Sequence, residues 1–221
     1  MEDISGRDMA ELLRKIIDEH TLYAIWKISE TVSELESSIT LREGEKELYR
    51  SFVAESRKKQ WLSYRILIRA LLLPDDFPVE YDPSGKPFLA GSDYHISVTH
   101  SDDLAAVIMS RTSRVGIDLE KMKSRIEKVK DKFIHPAESE AFGADMGLEH
   151  LTLTWCAKEA LYKIYGHREL DFRDHIRVEI PTSAGVRFKA EIGYKGKFSQ
   201  YWLYSEKFGD FILVYLLDPS I

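Results

Sequence analysis

The sequence predicts an α+β fold of two similar lobes, each an antiparallel sheet with packed helices, related by a pseudo-twofold axis. Three observations predict it. Residues 94–109 carry a hairpin pattern, residues 176–217 carry four strand patterns in series, and each half of the chain also supplies helical stretches. With 221 residues the chain can hold one large domain or two half-size ones, and 44% hydrophobic content suits a packed core. The element order begins again after residue 111, so lobes over 1–111 and 112–221 are expected. No sequence repeat or low-complexity linker separates them.

The elements follow in order. Residues 22–28 alternate as a strand, with Leu22, Ala24, Trp26 and Ile28 on one side. Two helical stretches come next, 42–54 and 57–73, the second stopped by Pro74. In the second, Leu62, Ile66, Ala70 and Leu73 form an apolar stripe beside Arg65 and Arg69. Asp82-Pro83-Ser84-Gly85 signals a turn into Lys86-Pro87-Phe88-Leu89. Residues 94–99 and 104–109 then read as a hairpin with His100, Ser101, Asp102 and Asp103 at its tip. After a strand over 114–120, residues 128–142 are mostly helical around His135-Pro136, and 151–165 form a helix closed by Gly166. Strands over 176–180, 186–192, 200–204 and 211–217 complete an antiparallel meander.

Composition narrows the function classes. The longest apolar runs, 104–109 and 211–217, are far too short to span a bilayer, and the acidic start Met1-Glu2-Asp3 lacks the basic region of a signal peptide. The single cysteine, Cys156, permits neither an internal disulfide nor a cysteine zinc cluster. A cytoplasmic protein is expected. A net charge of -6 argues against general nucleic-acid affinity, so any basic site must be local.

The residues best suited to chemistry lie in Val115-Gly116-Ile117-Asp118-Leu119-Glu120 and in Trp155-Cys156-Ala157-Lys158-Glu159-Ala160-Leu161-Tyr162-Lys163. Period-two alternation buries Val115, Ile117 and Leu119 and leaves Asp118 and Glu120 together on the other side, where like charges repel unless a cation joins them. Glu159 brought to that face would complete an all-oxygen nest for Mg2+. A solvated strand face is the plainer alternative for the two acids. For Glu159 and Lys163, one turn apart, the plainer alternative is a weak surface pair. Lys86 follows a glycine and precedes Pro87, which fixes the angle at which it projects. His100, flanked by Thr99 and Ser101, offers an imidazole and two hydroxyls to an anion. Lys46 and Arg50, one turn apart, and Arg57, Lys58 and Lys59 could grip a further phosphate, although surface solvation explains most of them as well. Cys156 reads as a buried structural thiol.

Together and in this order, these pieces resemble the 4'-phosphopantetheinyl transferases of the larger, surfactin-synthetase-activating type. The resemblance runs from Gly85-Lys86-Pro87-Phe88-Leu89 through Tyr94-His95-Ile96-Ser97-Val98-Thr99-His100-Ser101 and Val115 to Glu120. It continues in Phe133-Ile134-His135-Pro136-Ala137-Glu138 and Trp155 to Lys163. It implies a two-lobed monomer with coenzyme A in the cleft between lobes and Mg2+ on its pyrophosphate. It also implies the reaction: a serine hydroxyl of an apo acyl or peptidyl carrier protein attacks the β-phosphorus of coenzyme A, and 3',5'-ADP leaves.

Carried over by motif, Asp118, Glu120 and Glu159 are the expected metal ligands. Lys86 with Pro87, Thr99, His100 and Ser101 contact coenzyme A, His100 on its 3'-phosphate, with Lys46 and Arg50 as approximate matches to basic residues nearby. Lys158 and Lys163 face the pyrophosphate, and Lys163 also assists the transfer. Glu159 is the expected base, directly or through a metal-bound water, with Glu138 second. The sequence departs from the family pattern at Thr99, where serine is usual, at His95, where asparagine is common, and at Gly166-His167-Arg168, which lacks a second glycine beside the carrier. Lys121, Lys123, Arg125, Lys128, Lys130 and Lys132 form a basic run suited to the acidic helix that carriers present. A Mg2+-dependent phosphohydrolase using the same acids, and a catalytically silent carrier-binding module, are the competing readings.

Overall fold

The computed structural model describes residues 12–142, 146–166, 169–179 and 184–219; the acidic start, His167, Arg168 and residue 180 lie outside the described residues. Strands β1 (Leu12–Asp18) and β2 (Thr21–Lys27) form an antiparallel pair. Helices α1 (Val32–Ser38), α2 (Glu43–Arg50) and α3 (Glu55–Leu72) follow. Thr31 and Glu34 cap the start of α1 reciprocally. A short hairpin of β3 (Val79–Tyr81) and β4 (Pro87–Leu89) encloses the expected turn, in which Asp82 accepts from the Ser84 and Lys86 N–H groups. Strands β5 (His95–Ser101) and β6 (Leu104–Ser110) complete a four-stranded sheet in the order β1-β2-β6-β5. The face of α3 on that sheet is not the expected Leu62, Ile66, Ala70 and Leu73: Leu62, Leu67, Ile68 and Leu72 pack with Ala24, Trp26, Ala105 and Val107, while Leu73 is 68% exposed. Glu45, Arg65 and Arg69 join α2 to α3 beneath this layer, with Arg65 only 1% exposed and bonded to Glu45 at 3.1 Å.

Strand β7 (Arg114–Lys121) opens the second sheet. A 3-10 segment (Ser124–Lys132), helix α4 (Pro136–Phe142) and helix α5 (Leu148–Tyr165) come next. Gly166 ends α5 in the left-handed conformation, with φ 72°. Strands β8 (Ile176–Val178), β9 (Arg187–Tyr194), β10 (Lys197–Phe208) and β11 (Phe211–Asp218) form the expected meander, and β7 pairs with β11 to give the order β7-β11-β10-β9-β8. Leu153, Ala157, Ala160, Leu161 and Ile164 of α5 pack on Ile192, Leu203, Ile212, Val214 and Leu216 of this sheet.

The two sheets meet through their other faces. Tyr23, Ile25, Ala106 and Ile108 from the first pack on Val115, Ile117, Leu119, Leu213 and Tyr215 from the second. Each sheet therefore has a helix on one face and its counterpart on the other, an α+β arrangement. The edge strands β5 and β7 lie side by side at this seam.

Residues 12–18 and 32–38, to which the sequence reading assigns no element, form a strand and a helix. A further expectation is corrected. His100 and Ser101 lie within β5 rather than at a hairpin tip, because the turn is made by Asp102 and Asp103 alone, Asp102 taking φ 51°.

Candidate active site

The site is assembled where α5 crosses β7. Gly116 makes the crossing close: a Cβ at this position would stand 2.2 Å from the Ala160 carbonyl oxygen. With no side chain there, α5 lies directly on the β7 face that carries Asp118 and Glu120, two and four residues further along. Their apolar neighbours Val115, Ile117 and Leu119 occupy the opposite face in the seam core, as alternation predicts.

The acids are held by named partners. Asp118 is 5% exposed; its Oδ1 accepts from Thr99 Oγ1 and from Lys163 Nζ, both at 2.9 Å. Lys163 Nζ also donates to the Ile117 carbonyl at 2.8 Å. Asp118 Oδ2 is buried without a hydrogen-bond partner. Glu120 Oε2 accepts from Ser101 Oγ at 3.0 Å. Burial and then the charge of Asp118 push the Glu159 carboxyl up to about 7, Glu120 adding to the rise and Lys163 opposing it. Glu120 is raised for the same two leading reasons, against Ser101, Arg125 and Lys163. Glu120 and Glu159 thus both feel the Asp118 charge within a partly dry space. Among the described residues no three histidine, cysteine or acidic side chains stand in an arrangement that holds a metal ion; Asp118 is engaged by Thr99 and Lys163, and Glu120 by Ser101.

Beside this group a cavity of about 220 Å3 opens between the two halves. Lys86, Pro87, Ser97 and Val98 line it from one half, Tyr162, Lys163 and Gly166 from the other. Burial and the nearby Arg114 charge lower the Lys86 ammonium, against the charge of Asp82. His100 is half-buried on β5; burial lowers its imidazole, and the charges of Lys163 and Arg57 add to that effect. A histidine, a lysine and an arginine therefore gather near the acids.

Other expected site residues are placed elsewhere. Lys158 is fully buried, and its Nζ donates to the carbonyls of Phe133 at 2.6 Å, Ile176 at 2.8 Å and Phe172 at 3.0 Å, and to Glu138 Oε2 at 2.8 Å. An ammonium with four acceptors and no path to solvent cannot face a pyrophosphate. Glu138 is equally committed: its other contacts are the His135 N–H at 2.7 Å and the Val178 N–H at 2.7 Å. It is a buried structural acid rather than a base. Lys46 pairs with Glu43 at 3.1 Å on the surface of α2, Arg50 is exposed at the end of that helix, and neither lines the cavity. Burial raises the Cys156 thiol, consistent with a structural role.

Sequence reasoning assigned no role to Ser97, Arg114 and Tyr162, whereas Arg57 was among the basic residues it set near a phosphate. Ser97 was legible as the first of three hydroxyl residues at period two; the rest depend on long-range packing.

Residues 114–216, which include Asp118, Glu120, Glu159 and Lys163, match the family model of the 4'-phosphopantetheinyl transferase superfamily. A 4'-phosphopantetheinyl transferase, AcpT of Salmonella typhimurium, is 31% identical over 116 residues, covering 50% of this chain and 60% of that relative. AcpT of Escherichia coli O157:H7 is 30% identical over 117 residues, covering 50% of this chain and 59% of the relative. The matching stretch thus spans less than two thirds of those proteins' own length. Through β7, α5 and the meander, just under half of the chain is thus similar to the 4'-phosphopantetheinyl transferase superfamily.

Proposed function

We propose that this protein transfers the 4'-phosphopantetheine group of coenzyme A to a serine of an acyl or peptidyl carrier protein, in the manner of the larger, surfactin-synthetase-activating type. The observation that carries the reading is the meeting of Asp118, Glu120, Glu159 and Lys163 beside an inter-sheet cavity that also holds Lys86. The buried, unpartnered Asp118 Oδ2 and the raised carboxyls of Glu120 and Glu159 fit a divalent cation, so Asp118, Glu120 and Glu159 would hold Mg2+. When bound, Mg2+ supplies positive charge against the phosphoryl oxygens. Lys86 and Lys163, with His100 nearby, would neutralise and orient coenzyme A from opposite sides of the cleft.

In the transfer, the carrier serine oxygen forms a bond to the β-phosphorus, and the bond from that phosphorus to the leaving 3',5'-ADP breaks. The serine proton passes to Glu159, the general base of this reading. Lys163 stabilises charge on the departing group. The basic run from Lys121 to Lys132, with Lys121 and Lys123 paired to Asp102 and Arg125, Lys128, Lys130 and Lys132 exposed, is the proposed docking edge for the acidic carrier helix. The reading includes a lobe boundary near residue 111, a monomer, and action in the reducing cytoplasm, which a single thiol suits.

The test is incubation with coenzyme A, Mg2+ and a panel of apo-carriers, followed by intact-mass measurement. The expected result is a gain of one phosphopantetheine on at least one carrier, dependent on Mg2+. Phosphate release from coenzyme A without any acceptor would replace the transferase with a hydrolase, and carrier binding without transfer would leave a silent binding module.

A further inference from the structure

Residues 97, 99 and 101 of β5 all carry hydroxyls, and alternation sets the three on the face turned toward β7. Each is used. Ser97 Oγ accepts from the Ile117 N–H at 3.2 Å. Thr99 Oγ1 donates to Asp118 Oδ1 at 2.9 Å. Ser101 Oγ donates to Glu120 Oε2 at 3.0 Å and accepts from the Lys121 N–H at 3.1 Å.

β5 and β7 are edge strands of different sheets and do not pair through their backbones. A ladder of side chains joins them instead, and two of its rungs end on acids of the site. The hydroxyls belong to one half of the molecule and the acids to the other. Thr99 and Ser101 are 8% and 7% exposed, so water does not readily replace a lost hydroxyl. At Asp118 the hydroxyl and Lys163 both take Oδ1, which leaves Oδ2 as the oxygen without a protein partner.

We infer that Thr99 and Ser101 are positioning residues: through them the N-terminal sheet fixes the Asp118 and Glu120 carboxylates, so that the acids a cation would need are held in place only while the two sheets are docked in this register. This task differs from direct contact with coenzyme A. Only the turnover arm of its test rests on the transferase reading.

The test compares Thr99→Val, which keeps shape and removes the donor, with Ser101→Ala and with Thr99→Ser as rescue. Binding of Mn2+ is followed by electron paramagnetic resonance, with and without coenzyme A. Affinity is expected to fall about 10-fold in Thr99→Val and in Ser101→Ala, the scale on which residues behind metal ligands act, and to return in Thr99→Ser. In parallel, the Mg2+ requirement for carrier modification should rise by the same factor, while KM for coenzyme A at saturating metal stays unchanged. Wild-type Mn2+ affinity in both variants overturns the inference, as does a wild-type protein that binds no Mn2+ under either condition. A raised KM for coenzyme A with an unaltered metal requirement overturns it too, returning the hydroxyls to direct contact. Absence of transfer by wild type, with the Mn2+ results as expected, removes the transferase reading and leaves the ladder standing.

Discussion

At Glu159 the cost of gathering three acids is concentrated in one carboxyl. Its folded value, about 7, lies above the ordinary 4.5, so the native protein holds a proton there that the unfolded chain releases. Metal-free protein therefore keeps the full contribution of this group below pH 4.5 and loses it as pH rises through about 7. Urea unfolding in EDTA should show that decline, on the order of 2 kcal/mol, and Glu159→Gln should abolish it. The same variant should lower turnover by about 10^2- to 10^4-fold while retaining part of coenzyme A binding, measured by calorimetry. Full activity in Glu159→Gln would remove it as the base.

Motif and alternation were enough to bring Asp118, Glu120, Glu159 and Lys163 to one place. They misjudged Lys158 and Glu138, because helical angle reports direction and not depth. Lys158 is one residue from Glu159 in sequence, yet it points into the space among α4, α5 and β8, where only the fold supplies its acceptors.

At the scale of elements, the crossing of α5 over β7 depends on one absent side chain. Gly116→Ala would drive a methyl group into the Ala160 carbonyl, and backbone cannot swing aside as a side-chain end can. A loss of stability of about 1–3 kcal/mol or more is expected by thermal unfolding, with a matching loss of activity as Glu159 and Lys163 withdraw from Asp118. The buried pair behind α5 makes a contrasting prediction. Lys158→Met leaves Glu138 charged and unpartnered by any cation in a dry space, and should cost about 3–5 kcal/mol, while Lys158→Met with Glu138→Leu recovers much of it. Coenzyme A affinity of the folded fraction should not change.

Long elements with a clear period, such as α3, α5 and β11, were legible in sequence. β1 was not, since Leu13, Arg14, Lys15 and Ile16 are all exposed on an edge strand and no buried face imposes a pattern. α1 is short and buries only Leu35, too little for a stripe.

At the scale of the whole molecule, charge is distributed by task. The net charge is -6, yet Arg125, Lys128, Lys130 and Lys132 are exposed together beside the site. Reversing Lys128 and Lys132 to glutamate should raise KM for an acidic carrier more than KM for coenzyme A in steady-state assays, and an equal effect on both would discard the docking edge. The two-sheet plan was readable from element order, whereas the pairing of hydroxyl rungs with acids needed the coordinates.

The apolar seam has a practical consequence. Tyr23, Ile25, Ala106 and Ile108 would be stripped of cover if the chain were cut between residues 111 and 114, as would Ile117, Leu119 and Leu213. Either fragment made alone should aggregate, because each would present a bare oily patch to water. Co-expressed, the fragments should find each other and regain solubility, turning the molecule into a two-piece coincidence detector.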